Sequence, residues 1–91
     1  MAVSFTPRAL RNLAAIRAYI ADDKPLAASR VAVELVAACD RLDIYAERGR
    51  PGRKLGTREL TSVWPYVIVY RVKGRNVEIL AILHGAQQNL R

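Results

Sequence analysis

The sequence predicts an α+β fold, in which an N-terminal strand and an antiparallel helical hairpin are followed by a three-stranded antiparallel meander that completes one sheet. Two stretches between residues 7 and 47 carry apolar residues at spacings of three and four, which is typical of amphipathic helices. Three strand-like runs follow between residues 58 and 83. With 91 residues, the chain is long enough for one core only, so we expect a single domain spanning residues 1–91.

The first strand and the first helix adjoin each other at the N-terminus. Residues 3–5, VSF, alternate in polarity as a short half-buried strand does. Thr6 is a good N-cap and Pro7 is tolerated at the first helical position, so we expect a helix from Pro7 to about Asp22. The predicted buried face of this helix consists of Ala9, Leu13, Ile16 and Ile20.

The second helix is predicted to begin at Pro25 and to run to about Glu47. Its main apolar stripe is expected to pack on the first helix and consists of Ala28, Val31, Leu35, Ala38 and Leu42. A second apolar line is rotated away from that stripe and consists of Leu26, Val33, Ala37 and Ile44. One interpretation is that this second line packs on the sheet. The other is that it forms an exposed groove for a partner segment.

A basic loop and the first strand of the meander come next. Residues 48–54, RGRPGRK, form the basic loop, since two glycines and a proline end the helix there. The four cations of this loop indicate either solvated surface or a binding role. A strand is predicted over residues 58–63, followed by a loop at Trp64-Pro65, because proline is disfavoured inside a ladder.

The last two strands, residues 66–72 and 77–83, are expected to form a hairpin around Gly74-Arg75, since glycine suits the first position of a two-residue turn. The residue pairs of this register are Arg71 with Glu78, Tyr70 with Ile79, and Val69 with Leu80. Both faces of the hairpin are apolar, so we expect cover on both sides. The helices cover one face, and the tail after His84 or a second chain covers the other.

The charge of the chain indicates an acidic partner. Fifteen Lys and Arg residues, twelve of them Arg, outnumber eight Asp and Glu residues and give a formal net charge of +7. Arg binds carboxylates and phosphates, so the partner is either nucleic acid or an acidic protein segment. One Cys excludes an internal disulfide, and with a single His in another element it predicts neither a metal site nor a cofactor. No signal peptide and no apolar run of about 18 residues is present, so we expect a cytoplasmic protein without membrane contact.

Three stretches carry a family resemblance: GRPGRKLGTREL, PYVIVYRV and VEILAILHGAQ. Through them the chain resembles the ParE toxins of the RelE/ParE superfamily, the toxic halves of bacterial type II toxin–antitoxin pairs. The resemblance implies the fold given above and an acidic ParD-like antitoxin with a ribbon–helix–helix DNA-binding domain, which wraps the toxin in a hetero-oligomer. It also implies one of two targets, because ParE-type members poison DNA gyrase, whereas RelE-type members cleave mRNA on the ribosome.

The two targets differ in the chemistry that they require, and the polar residues of the meander are the candidates for that chemistry. RNA cleavage through the 2′-hydroxyl needs a general base, a general acid and cations that stabilise the phosphate charge. If the chain is a nuclease, the candidates for these roles are Glu59, His84, Arg58 and Arg71. Strand alternation puts Arg58 and Glu59 on opposite faces, and Arg71 already faces Glu78. The tail after His84 holds no cation before Arg91, so the catalytic set is incomplete and the sequence favours inhibition of gyrase by binding.

The contact residues are predicted accordingly. Antitoxin contacts are expected from the second apolar line and the basic loop, namely Leu26, Val33, Ala37, Ile44, Arg50 and Arg53. The candidates for contact with the target are Arg58, Glu59, Trp64 and His84. Two alternatives stay open, a ribosome-dependent mRNA endonuclease of the RelE type and an inactive homologue that only binds the antitoxin. Direct sequence-specific binding of nucleic acid by this chain is not expected.

Overall fold

In the part of the chain that the structure describes, five strands form one sheet, and two helices form a hairpin that packs on one of its faces. The computed structural model describes residues 2–85. The elements along the chain are β1 (Val3–Phe5), α1 (Pro7–Ala21), α2 (Pro25–Arg41), β2 (Arg50–Pro51), β3 (Arg58–Leu60), β4 (Tyr66–Lys73) and β5 (Asn76–His84). The strand order is β1-β5-β4-β3-β2, with β1 parallel to β5 and the other pairs antiparallel. The predicted α+β fold is confirmed, and β2 adds one short strand to the predicted meander.

The start of α1 follows from its capping residue. The Thr6 hydroxyl accepts a hydrogen bond from the backbone N–H of Ala9 at 3.1 Å. The same hydroxyl donates to the carbonyl oxygen of Leu80 at 3.0 Å, so the cap also ties α1 to β5. One helical turn beyond Ala9, the side-chain oxygen of Asn12 accepts from the backbone N–H of Ile82 at 3.1 Å. Side chains of this helix therefore bind the edge of β5 where β1 has ended.

The second helix is shorter than predicted. It ends at Arg41 and not near Glu47, because residues 42–44 donate their backbone N–H groups to carbonyl oxygens three residues back and the chain turns. This turn brings the carbonyl oxygen of Ala46 to the hydroxyl of Tyr70, which donates to it at 2.7 Å. A buried tertiary hydrogen bond thus favours the turn over continued helix.

The main stripe of α2 is buried, and most of its second apolar line is exposed. The fully buried members of the main stripe are Ala28, Leu35, Ala38 and Leu42. Leu26 is 84% exposed and Val33 is 67% exposed, whereas Ala37 is half-buried. Ile44, at 75% exposure, lies beyond the end of the helix. The interpretation that the second line packs on the sheet is therefore wrong, and Leu26, Val33 and Ile44 face solvent.

The register of the β4–β5 hairpin agrees with the prediction up to a bulge. Near the turn the predicted pairs form, and these are Arg71 with Glu78 and Tyr70 with Ile79. Val69 pairs with Ala81 and not with Leu80, because the register shifts by one residue between Val69 and Tyr70. The extra residue on β5 leaves Leu80 and Ala81 on one face and returns Ile82 to the helix-covered face.

The core lies between the helical hairpin and the sheet. Its buried cluster comprises Ala9, Leu35, Ala38, Cys39, Leu42, Ala46, Leu60, Ile68, Tyr70, Val77, Ile79 and Ile82. On the opposite face of the sheet, part of the basic loop returns toward β3, where the backbone of Arg53 bonds to Glu59. The predicted cover from the tail after His84 falls mostly on residues 86–91, which lie outside the described part of the chain.

We expect the substitution Tyr70→Phe to lower the free energy of unfolding by about 1–3 kcal/mol, because it leaves two buried backbone groups without a partner. The Tyr70 hydroxyl donates to Ala46 and accepts from the N–H of Gly49 at 2.8 Å. Chemical denaturation measures the change, with Tyr19→Phe on the exposed side of α1 as the matched control. Equal unfolding free energies for the two variants would contradict the role of this hydroxyl.

The same hydroxyl predicts a pH dependence. Burial raises the pKa of Tyr70 above its ordinary value of 10.0. Because the folded state has the higher pKa, the stabilisation by the neutral hydroxyl is fully present below about pH 10 and is lost as the pH rises through the folded pKa. We expect the difference in unfolding free energy between wild type and Tyr70→Phe to shrink above about pH 10 in denaturation series. A difference that grows in that range is the opposite result.

Candidate functional site

A groove runs between α1 and α2 on the exposed side of the hairpin. Its volume is about 510 Å³, and we refer to it as the helical groove. It is lined by Leu10, Leu13, Ala14, Arg17, Ser29, Ala32 and Val33. Leu10 and Val33 are both exposed, and Leu26 lies two helical turns before Val33 on α2. An apolar surface of this shape, open to solvent, is typical of sites that receive an amphipathic helix.

Exposed apolar residues continue along the chain beyond the end of α2. Residues 44–48 line an open depression of about 730 Å³. Ile44 and Tyr45 are both largely exposed there. Ile44 was predicted as a contact residue, whereas Tyr45 was missed, because the sequence pattern extended α2 through a segment that is in fact a turn.

Two neighbouring residues of β3 anchor the basic loop from opposite faces of the sheet. Glu59 is only 5% exposed, and its carboxylate accepts from Arg50 Nη2 at 3.1 Å and from the backbone N–H of Arg53 at 3.3 Å. Arg58 donates from Nη1 to the carbonyl oxygen of Gly49 at 2.7 Å. Both side chains therefore hold the cation-rich loop against the sheet.

A cleft of about 380 Å³ lies on the face of the sheet opposite the helices, and we refer to it as the sheet-face cleft. Its floor is apolar and comes from β4 and β5, with Val69, Leu80, Ala81 and Leu83. Its rim is polar and mostly cationic, with Arg8, Arg53, Lys54, Thr57 and Glu59. Sequence reasoning missed Arg8 and Leu80 and named Lys54 only as a cation of the basic loop, because neither the bulge nor the return of the loop over the sheet leaves a periodic signal.

The four candidate nuclease residues do not meet in one place. His84 lies beside Tyr66 with the ring centroids 5.8 Å apart, and Tyr66 packs against the helix-covered core. Arg71 donates from Nε to Glu78 at 2.7 Å. The other two candidates hold the basic loop from opposite faces, as described above. These four residues therefore do not place a base, an acid and a cation around one phosphate.

Two large apolar side chains stand in solvent on loops. Trp64 is 85% exposed in the loop between β3 and β4. Leu55 is fully exposed directly after the basic loop. Trp64 was predicted as a contact residue, whereas Leu55 was missed. The position of a large apolar residue between Lys54 and Gly56, in a loop, already indicates an exposed apolar side chain. Exposed Trp is a frequent anchor of protein–protein contacts.

Among residues 2–85, Cys39 and the acidic side chains are the remaining groups to consider as a reactive or metal-binding centre. Cys39 is buried in the core, and burial together with the charge of Asp40 raises the pKa of its thiol to about 12, so the thiolate is scarce at neutral pH. Within residues 2–85, no three His, Cys, Asp or Glu side chains gather closely enough to hold a metal ion. Neither helix of this part of the chain has the length and apolar character to cross a bilayer.

This chain is similar to proteins that are described as toxins or as toxin–antitoxin systems. The family described as "ParE toxin of type II toxin-antitoxin system, parDE" matches residues 3–89. Toxin RelE2 of Caulobacter vibrioides is 48% identical over 85 residues, which cover 93% of this chain and 96% of that relative. Y4kP of Sinorhizobium fredii, also named as a toxin, is 48% identical over 87 residues, which cover 94% of this chain and 90% of that relative. A solved structure described as "Chromosomal ParDE TA system from P. aeruginosa" matches with a TM-score of 0.85 and 31% identity, covering 92% of this chain and 95% of that chain.

We expect Glu59→Ala to loosen the basic loop, because it removes the acceptor shared by Arg50 and the backbone of Arg53. Limited trypsin digestion with mass spectrometry reports this, since the loop contains cleavage sites after Arg53 and Lys54. Loss of these bonds is expected to speed cleavage there about five- to tenfold. Glu34→Ala on the exposed side of α2 is the control, and equal cleavage rates for the two variants would show that Glu59 does not hold the loop.

Proposed function

We propose that this chain, which belongs to the ParE toxin family of type II toxin–antitoxin systems, acts in the cytoplasm by binding DNA gyrase and is neutralised by an acidic antitoxin. The observation that supports binding over catalysis is the separation of the four candidate nuclease residues into different contacts on two faces of the sheet. Acid–base catalysis needs its groups within hydrogen-bond reach of one substrate. The chain instead exposes apolar side chains, which suit a protein partner.

The surface that we propose for gyrase is the end of the sheet around Trp64. Tyr66, two residues later, pairs in register with His84, so His84 and Trp64 lie at the same end of the sheet. An exposed Trp buries a large area on binding at a low cost in conformational entropy. Arg58 and Glu59 contribute to this surface by positioning the basic loop, and their own contacts are largely internal.

The surface that we propose for the antitoxin is the helical groove together with the exposed apolar residues of α2 and Ile44 in the turn that follows this helix. Leu26 and Val33 are seven residues apart, so both lie on one side of the helix, and Ala37 follows one turn later. An amphipathic antitoxin helix fits such a groove through its own apolar face. Arg50 and Arg53 of the basic loop lie on the other face of the sheet, so acidic residues from another segment of the antitoxin would reach them, and the net charge of +7 favours this pairing. We expect a ParD-like partner with a ribbon–helix–helix domain, because the solved relative is described as a ParDE system.

A second candidate function is ribosome-dependent mRNA cleavage of the RelE type. The observation that favours it is the position of Glu59, which lines the sheet-face cleft with three cations, Arg8, Arg53 and Lys54. A carboxylate beside cations is part of what RNA cleavage needs. Against it stands the ion pair of Glu59 with Arg50, which engages that carboxylate in holding the loop. A third candidate is an inactive homologue that only binds the antitoxin.

The purified chain is expected to inhibit DNA supercoiling by gyrase and to trap the cleaved complex of gyrase with DNA. Trp64→Ala is expected to raise the concentration needed for half inhibition about tenfold or more, since a buried Trp anchor contributes about 2 kcal/mol or more. Val72→Ala at an exposed site on β4 is the matched control. No inhibition and no trapped complex with wild-type protein would refute the gyrase proposal.

Two further measurements separate the other candidates. Primer extension on translated mRNA after induction shows codon-phased cuts if the chain is a ribosome-dependent endonuclease, and none if it acts on gyrase. Growth after induction without antitoxin stops if the chain is an active toxin. Unchanged growth points to the inactive homologue.

Val33→Asp and Ile44→Asp are each expected to weaken antitoxin binding by about tenfold or more, because each buries a charge in an apolar contact. Calorimetric titration with the cognate antitoxin measures the change. Val72→Asp on β4 carries the same substitution outside the proposed surface and is expected to bind as wild type does. If both variants keep wild-type affinity, the antitoxin binds elsewhere.

A further inference from the structure

A pocket of about 290 Å³ lies where β2 and β3 form one edge of the sheet, and we refer to it as the edge pocket. It is lined by Arg48, Arg50, Glu59, Leu60, Thr61 and Ser62. Among these lining residues only Leu60 is apolar, and its side chain belongs to the buried core. The edge pocket is therefore mainly polar, and it suits a small charged group rather than an apolar side chain.

The backbone between the two arginines of the edge pocket is fixed at Gly49. The N–H of Gly49 donates to the Tyr70 hydroxyl at 2.8 Å, and its carbonyl oxygen accepts from Arg58 Nη1 at 2.7 Å. A Cβ atom at this position would lie 2.7 Å from the Tyr70 hydroxyl oxygen, so only glycine allows this close approach. Arg48 and Arg50 thus extend from a backbone that the fold holds in place, which lowers the entropy lost when a ligand binds.

The buried carboxylate of Glu59 orients one of these arginines. Arg50 and Glu59 face each other in the register of β2 and β3. Arg50 donates to Glu59 Oε1 from Nε at 3.3 Å and from Nη2 at 3.1 Å. The Glu59 side chain is 5% exposed, whereas the Arg50 side chain is 62% exposed. The ion pair therefore holds the guanidinium at the surface, where its other N–H groups face a ligand.

The charge and the donors of the edge pocket match a phosphodiester. Two arginines against one glutamate leave one net positive charge on the described lining, and a phosphodiester carries one negative charge. Thr61 and Ser62 are exposed and add two hydroxyl donors. Arginine and the hydroxyls of Ser and Thr are among the side chains that contact the phosphate oxygens of DNA. The edge pocket therefore has the composition of a site for one backbone phosphate.

The edge pocket opens at the end of the sheet that carries the surface proposed for gyrase. Ser62 precedes Trp64 by two residues in the loop between β3 and β4. Leu60 pairs with Ile68, two residues after Tyr66, and Tyr66 pairs with His84. Gyrase holds DNA while it acts, so a toxin bound through Trp64 has DNA phosphates as neighbours. Contacts to phosphates carry no sequence information, which agrees with the expectation that this chain does not read a DNA sequence.

We propose that the edge pocket binds a backbone phosphate of DNA through Arg48, Arg50, Thr61 and Ser62, so that the toxin contacts DNA as well as gyrase in the trapped complex. That the DNA is the DNA held by gyrase rests on the proposed function. The affinity for a DNA phosphate rests on the residues of the edge pocket alone.

Nuclear magnetic resonance titration tests the site without gyrase. The probe is a DNA duplex of twelve base pairs, added to the full-length, ¹⁵N-labelled chain. The expected result is a set of saturable amide shifts at Gly49, Arg50, Thr61 and Ser62, with Ala32 and Val33 in the helical groove unchanged. Shifts confined to other surfaces, or none at all, would overturn the proposal. Tighter binding of an RNA duplex of the same length at the same residues would overturn it in favour of an RNA site.

Variants that keep the net charge separate a built site from general attraction by a basic protein. Arg50→Lys keeps the charge but loses the planar fork that Glu59 orients, and it is expected to weaken the duplex about threefold or more. Thr61→Val removes one hydroxyl at an exposed position and is expected to weaken the duplex about threefold, whereas Ser29→Ala in the helical groove is the matched control without effect.

A pair of substitutions far from the edge pocket completes the comparison. Lys73→Gln with Arg75→Gln removes two charges at the tip of the β4–β5 hairpin and is expected to change the affinity less than twofold. Weakening by this pair, together with wild-type affinity of Arg50→Lys and Thr61→Val, would overturn the proposal in favour of nonspecific attraction.

The outcome is distinguishable from that of the gyrase assay. Shifts at the edge pocket without inhibition of supercoiling would remove the proposed target and leave the phosphate site standing. Inhibition of supercoiling without these shifts would remove the phosphate site and leave the proposed target standing.

Discussion

The bulge between β4 and β5 is the constraint on which both faces of the molecule depend. In a regular hairpin, Ile79 and Ile82 would point to opposite faces, because side chains alternate along a strand. The extra residue on β5 lets both of them enter the core beneath the helices. It also places Leu80 and Ala81 side by side in the sheet-face cleft. The one extra residue on β5 thus completes the core on one face of the sheet and supplies the apolar floor of the sheet-face cleft on the other.

Several polar residues of the meander form hydrogen bonds or ion pairs within the molecule, which stabilise the fold. The Tyr70 hydroxyl fixes the turn that ends α2, and Arg58 and Glu59 hold the basic loop from the two faces of the sheet. Arg71 is engaged with Glu78. With these groups occupied, the surfaces left open are apolar or cationic, in the helical groove, on the turn after α2 and in the sheet-face cleft. Such surfaces are suited to recognising other proteins, which supports the proposal that this ParE family toxin acts by binding.

Periodicity and turn chemistry predict most of this fold from the sequence. The capped start at Thr6, the proline at the start of α2, the glycine turn of the last hairpin and the pair Arg71 with Glu78 all follow from local rules. The end of α2 does not, because a hydrogen bond from a strand distant in sequence decides it. The bulge does not either, since it depends on which side chains fit beneath the helices. The apolar line that contains Leu26 and Val33 was therefore visible in the sequence, although its exposure was left open, whereas the cleft, built by a bulge and a returning loop, was not predicted.

Direct calorimetric titration of the purified chain into the gyrase subunits tests the proposal that this toxin acts by binding gyrase. We expect saturable binding with a fixed stoichiometry, which is weakened by Trp64→Ala and abolished when the antitoxin is added first. The absence of any binding heat, together with codon-phased cleavage of ribosome-bound mRNA by the same preparation, would contradict it.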